Sequence, residues 1–107
     1  MIDIEKIKIE IVARLKSLDP DKIILFGSYA YGKPNKDSDI DLYIIKDIQE
    51  DKSREYKLKA RKLLRDIIFK YNVGFDILNS SEKFLRERED YFYKVDILEK
   101  GKILYAK

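Results

Sequence analysis

Apolar residues recur at steps of three and four through Ile4, Ile7, Ile11, Leu15 and Leu18, the period of one helical face. Asp3 stands where an N-cap belongs, and Pro20 stands where such a helix must stop. The pattern then changes. Ile23-Ile24-Leu25-Phe26 is an unbroken apolar run closed by Gly27, which predicts a short strand buried on both faces. Lys33 to Ser38 (KPNKDS) has the composition of a turn, and Asp39 to Ile45 (DIDLYII) that of a second strand. Helical spacing returns near residues 51 to 70. Tyr56, Ala60, Leu63, Leu64, Ile67 and Ile68 form its inner stripe, and Lys57, Lys59, Arg61 and Lys62 lie outside it. Val73 to Leu78 (VGFDIL) predicts a third strand. Ser80 or Ser81 can cap a last helix with Phe84, Leu85, Tyr91, Phe92, Val95 and Leu98 inward, and Gly101 suits its C′ position. Lys102 to Ala106 (KILYA) reads as a terminal strand. Strands alternating with helices predict an α/β or α+β fold with helices packed on one face of a small sheet.

At 107 residues the chain is expected to form a single domain over 1–107, with one modest core rather than two. Lys and Arg number 23 against 20 Asp and Glu, a net charge of +3, so attachment to nucleic acid by charge alone is not expected. No apolar run exceeds four residues, too few for a membrane span or a secretory leader, so a cytoplasmic location is expected. Cys and His are both absent. That excludes disulfides, thiolate zinc sites, Ser-His-Asp triads and imidazole metal ligands. Proton transfer then falls to Asp, Glu, Lys, Tyr or water, and any metal site must be built of oxygen, which suits a hard cation such as Mg²⁺.

The chemistry concentrates in residues 27–41, GSYAYGKPNKDSDID. Gly27 ends a buried strand and Ser28 opens a short helical turn. Free N–H groups at such a start, together with a hydroxyl, can meet phosphate oxygens, and glycine lets a phosphate approach the backbone. A strand–Gly–Ser turn taken alone is usually only a connection. Asp39 and Asp41 carry more weight. At i and i+2 of a strand they share a face, so two carboxylates project side by side at the start of an apolar strand. Without a cation each raises the pKa of the other; a bound Mg²⁺ reverses that sign. A pair of acids at a solvated strand end is the plain alternative. Asp76 weighs against it, because Phe75 and Ile77 flank it with apolar bulk. If its strand lies beside the Asp39–Asp41 strand, three carboxylates form the acidic patch that two-metal phosphoryl transfer requires.

The Gly27-Ser28 pair, the ten residues Tyr29 to Ser38, then Asp39-Ile40-Asp41 resemble the GSx10DxD signature of the DNA polymerase beta-like nucleotidyltransferase superfamily. Phe75-Asp76-Ile77 is similar to the strand that carries its third acid. The resemblance covers nearly the whole chain and is to the minimal nucleotidyltransferases. It implies a small mixed, mostly antiparallel sheet with helices packed against it. It also implies that Gly27 and Ser28 bind the nucleotide phosphates, and that Asp39, Asp41 and Asp76 are the catalytic residues and hold Mg²⁺, two ions, with Asp76 as base. One departure stands out: many relatives carry Arg two to four residues after Gly-Ser, where this chain has Tyr29 and Tyr31. Phosphate charge would then be met by the metals, by backbone N–H groups and by Lys33 or Lys36, which read equally well as solvated loop residues.

Only residues 77–107 follow Asp76, room for one helix and a short strand, so the acceptor-binding surface is expected from another chain. Minimal members resembling this one are typically antitoxins paired with an all-helical HEPN-type ribonuclease toxin. The resemblance implies transfer of AMP from ATP to a tyrosine of that partner. Two other readings stay open: a nucleotidyltransferase with a small-molecule or nucleic-acid acceptor, and a non-catalytic module that inhibits its partner by contact. An intact acidic trio favours catalysis, and the small net charge disfavours a nucleic-acid acceptor. Whether the chain works as a homo- or hetero-oligomer is left open. The eight tyrosines read mostly as core or interface packing.

Overall fold

The computed structural model describes residues 2–107. Helix α1 spans Ile4–Leu15. The Asp3 carboxylate accepts the Glu5 N–H at 3.0 Å, and a 3₁₀ turn over Lys16–Leu18 finishes the helix. Strand β1 (Lys22–Phe26) runs into the short helix α2 (Ser28–Tyr31), and β2 (Ile40–Ile45) returns beside β1. Helices α3 (Ser53–Leu63) and α4 (Arg65–Tyr71) carry the chain over to β3 (Phe75–Ser80). Helix α5 (Glu82–Glu87), a π-helix over Phe92–Glu99 and strand β4 (Lys102–Ala106) complete the order.

The sheet order is β3-β2-β1-β4. β1 pairs antiparallel with β2 and β4, and β2 pairs parallel with β3 through the α3–α4 crossover, so the sheet is mixed and mostly antiparallel. Helices cover both faces, not the single face expected. Alternation along the strands explains this. Ile23, Leu25, Ile40, Leu42, Ile44, Phe75 and Ile77 point to one side and form a core with α1, α3 and α4. Ile24, Phe26, Tyr43 and Ile45 point to the other and pack against Leu85 and Ile97. A strand buried on both faces needs a layer on each, so the single core expected from length becomes two clusters sharing one sheet.

The predicted 51–70 helix breaks at Leu64, whose N–H is shared between the Ala60 and Arg61 carbonyls at 3.1 and 3.2 Å. Its stripe survives the break: Tyr56, Ala60, Leu64 and Ile67 are all buried. The predicted last helix breaks after Glu87. Residues 86–90 are all charged, so nothing between Leu85 and Tyr91 anchors the chain to the sheet. Beyond the break the winding is wider, with Lys100 N–H donating to the Val95 carbonyl at 2.8 Å. This turns Tyr93 and Ile97 inward where α-helical spacing had placed Tyr91 and Val95, and Tyr91 is left 66% exposed. Gly101 is not the left-handed C′ residue expected; Gly27 is the positive-φ glycine of the described residues. A Cβ on Gly101 would lie 2.3 Å from the Ile97 carbonyl oxygen and 2.5 Å from Ile24 Cγ2, so it serves close packing of chain on sheet.

Candidate functional site

Strand register assembles the acids. Asp41 on β2 lies opposite Phe26 on β1 and opposite Asp76 on β3. Their side chains share the sheet face that carries Tyr43 and Ile45 further along β2. Ile40 N–H donates to the Gly74 carbonyl at 2.9 Å and fixes the entry to this pairing. Asp39 lies just before β2 rather than within it, and is exposed. Asp76 is exposed as well: Phe75 and Ile77 face the opposite side of β3, so they anchor the strand without burying the carboxylate.

Two glycines make room for these groups. Gly27 sits at φ 75°, ψ −157°, a conformation essentially reserved for glycine. A Cβ there would fall 2.0 Å from Asp41 Oδ2. A Cβ on Gly74 would fall 2.5 Å from Asp39 Oδ1. Sequence reasoning missed the part played by Gly74, although an isolated glycine inside a strand pattern is the usual mark of such an approach. From Gly27 the chain turns into α2. The Gly27 carbonyl accepts the N–H groups of Ala30 and Tyr31 at 3.0 and 3.1 Å. Among the described residues the Ser28 and Tyr29 N–H groups and the Ser28 hydroxyl have no hydrogen-bond partner, so three donors stand beside Asp41 at the end of β1.

The electrostatics are unbalanced. Burial, and then the charges of Asp76 and Asp39, raise the Asp41 pKa from 3.8 to about 6. Burial, then Asp39, raises the Tyr29 phenol. Among the described residues none of the three acids has an ion-pair or side-chain hydrogen-bond partner, and the exposed Lys33 and Lys36 reach neither them nor any other acid. The trio does not converge as the sequence led one to expect: no three acidic side chains among the described residues stand close enough to hold an ion between them. The donor set nevertheless fits Mg²⁺: all-oxygen ligands, two on neighbouring strands facing one way, and no basic side chain paired with them.

A pH-dependent cost follows. Because the folded-state pKa of Asp41 lies above its ordinary value, ionising it destabilises the metal-free fold as pH rises from about 4 to about 6. Asp41→Asn should therefore melt higher than the parent at about pH 7.5 in chelator. Partial exposure discounts the gain to about 1 kcal/mol, a Tm rise of about 4 °C, vanishing near about pH 4. A pH-independent offset, or a lower Tm, would show that the carboxylate is a structural group.

Residues 5–107 match the family model described as polymerase beta, nucleotidyltransferase. Two Methanocaldococcus jannaschii proteins are similar in sequence. "Putative protein adenylyltransferase MJ0604" is 34% identical over 84 residues, 78% of this chain and 77% of that protein. "Putative protein adenylyltransferase MJ0141" is 32% identical over 73 residues, 60% of this chain and 74% of that protein. Among solved structures, a toxin–antitoxin crystal structure with AMP-PNP superposes with a TM-score of 0.61 at 21% identity, covering 94% of this chain and 73% of that one. A tri-AMPylated Shewanella oneidensis HEPN toxin in complex with its MNT antitoxin gives 0.55 at 21% identity, covering 94% and 70%. At such identities the structural likeness is one of fold.

Proposed function

Since the chain belongs to the polymerase beta nucleotidyltransferase family, we propose that it transfers AMP from ATP to a tyrosine hydroxyl of a HEPN-type toxin and is the antitoxin of that pair. The observation that carries the reading is the register that sets Asp41 beside Asp76, with Gly27 held open against Asp41. The protein acceptor is supported by the adenylyltransferase names of the two relatives and by the small net charge, which gives a nucleic-acid acceptor little to bind.

The roles follow from position. The Ser28 and Tyr29 N–H groups and the Ser28 hydroxyl donate to phosphate oxygens, and Gly27, with no Cβ, lets the triphosphate lie against the turn. Asp39, Asp41 and Asp76 would hold Mg²⁺, two ions, which supply charge to the phosphates and acidify the attacking hydroxyl. The tyrosine oxygen attacks the α-phosphorus, the bond to the bridging oxygen of the β-phosphate breaks, and pyrophosphate leaves. The tyrosine proton passes to Asp76, the exposed member of the strand pair, which an incoming hydroxyl can reach. Filling this site with cation removes the repulsion at Asp41, so protein and Mg-ATP stabilise one another.

Titration calorimetry tests this. ATP should bind at least about tenfold more tightly with Mg²⁺ than with chelator, because carboxylate and phosphate oxygens complete one coordination shell. Equal affinity in both buffers would contradict the site.

A further inference from the structure

Across β1 from the acids stands a lysine that no carboxylate holds. Asp76, Asp41 and Phe26 lie side by side on β3, β2 and β1. β4 starts with Lys102 beside Leu25, one residue short of Phe26, so the chain enters β4 at the same end of the sheet as the acids. In that entry Gly101 packs against Ile24, which shares a sheet face with Phe26, Tyr43 and the acids. Lys100, just before it, closes the π-helix that covers this face. Its ammonium lies over the Tyr31 ring, 5.6 Å from the ring centre. Tyr31 is the last residue of α2, the turn that opens at Gly27 and Ser28. The lysine stem thus brings a positive charge from the far side of β1 to within about one helical turn of the free Ser28 and Tyr29 N–H groups.

Neighbouring cations are placed differently. Lys102 pairs with Leu25, which points into the core under α1, so its side chain leaves the sheet on the face opposite the acids. Lys94 is paired with Glu89 and Arg86 with Glu82, and Arg88 lies over the Phe84 ring. Lys100 has no ion-pair partner among the described residues. The chemistry calls for a cation here. Three carboxylates and a triphosphate together carry more charge than two Mg²⁺ ions neutralise, and charge grows on the pyrophosphate as its bond to the α-phosphorus breaks. Strands lie about 4.8 Å apart, so Asp41 and the entry to β4 are about 10 Å apart, a span that a triphosphate over Gly27 and a lysine stem bridge together.

We infer that Lys100 binds the β- and γ-phosphates of ATP and stabilises pyrophosphate as it leaves. This rests on the reading of the acids as a nucleotidyl-transfer site, and adds to it a residue that the Gly-Ser and acidic motifs do not contain. Tyr31 is the shelf: its ring holds the ammonium near the turn before nucleotide arrives, so less side-chain freedom is lost on binding.

The test compares Mg-ATP with AMP, which lacks the two phosphates that Lys100 would touch. Lys100→Met keeps most of the stem and removes the charge. It should weaken Mg-ATP binding at least about tenfold in calorimetry, and leave AMP, read by its displacement of Mg-ATP, at parental affinity. Lys100→Arg keeps the charge and should recover most of the loss. Lys102→Met, two residues on and on the other face, should match the parent with both nucleotides. Both lysines are exposed, so melting temperature should hold in every variant. Parental Mg-ATP affinity in Lys100→Met overturns the proposal. So does an equal loss with AMP, which would mean a distorted pocket, or an equal loss in Lys102→Met, which would mean a diffuse field of charge rather than a contact. In these cases the parent still binds Mg-ATP and the proposed function stands; a parent that does not bind Mg-ATP removes both.

Discussion

Replacing Asp39 and Asp41 together by asparagine should lower AMP transfer at least about 10³-fold. The estimate follows from the several kcal/mol of charge stabilisation that metal-held phosphates provide, about tenfold in rate per 1.4 kcal/mol. Asparagine keeps the shape and one oxygen of each side chain but removes the charge that holds a hard cation. The fold should not suffer. Neither carboxylate has an ion-pair partner among the described residues, and Asp41 is the group that burial and its neighbours push up to about 6. The double variant should thus combine near-zero activity with an equal or higher Tm in chelator. Labelled-ATP transfer beside thermal melts reads both. Retained transfer would remove the acids from the chemistry, and a sharp fall in Tm would make them structural.

Gly27→Ala should damage both the fold and the site. At φ 75°, ψ −157° an L residue is strained by about 1–3 kcal/mol. The new Cβ would also fall 2.0 Å from Asp41 Oδ2, so the turn or the carboxylate must move. Either displacement takes the Ser28 and Tyr29 N–H groups out of line with the acids. A fall in Tm of about 5–15 °C is expected from the strain. ATP affinity should fall at least about tenfold, and transfer about 10²-fold, since misplacement of about 1 Å costs that much. An alanine variant with parental Tm and activity would refute the cradle.

The parts of this site that could be read in advance were those set by short-range rules. Gly27-Ser28 follows an apolar run, and Asp39 and Asp41 are two residues apart, so their sidedness needs only strand periodicity. Whether Asp76 stood near Asp41 was a matter of strand order, which periodicity does not contain; the α3–α4 crossover lays β3 parallel to β2 with Asp76 opposite Asp41, while Asp39 stays outside the paired strand. Gly74 was passed over because its use depends on where Asp39 comes to rest. The second apolar layer was written in the strands all along, since Ile23 to Phe26 alternate between both faces, but the count of residues argued for one core. The break after Glu87 and the π-helix beyond it arise from tertiary packing: five charged residues offer the sheet nothing, and Phe92, Tyr93 and Ile97 then fit it only with wider winding. Phe26 and Phe92, 5.6 Å apart between ring centres and nearly perpendicular, record that fit beside Asp41.

The central claim is that this chain neutralises its partner by modifying it, and turnover is the property that separates an enzyme from a contact inhibitor. The direct measurement is intact mass and residual ribonuclease activity of the HEPN-type partner after incubation with Mg-ATP and about one hundredth of an equivalent of this protein. The account predicts that the whole partner pool gains AMP on tyrosine, loses activity, and stays inactive once this protein is removed, and that Asp76→Asn binds the partner but leaves its mass unchanged. Neutralisation that needs one equivalent, proceeds without ATP and survives loss of Asp39, Asp41 and Asp76 would contradict it.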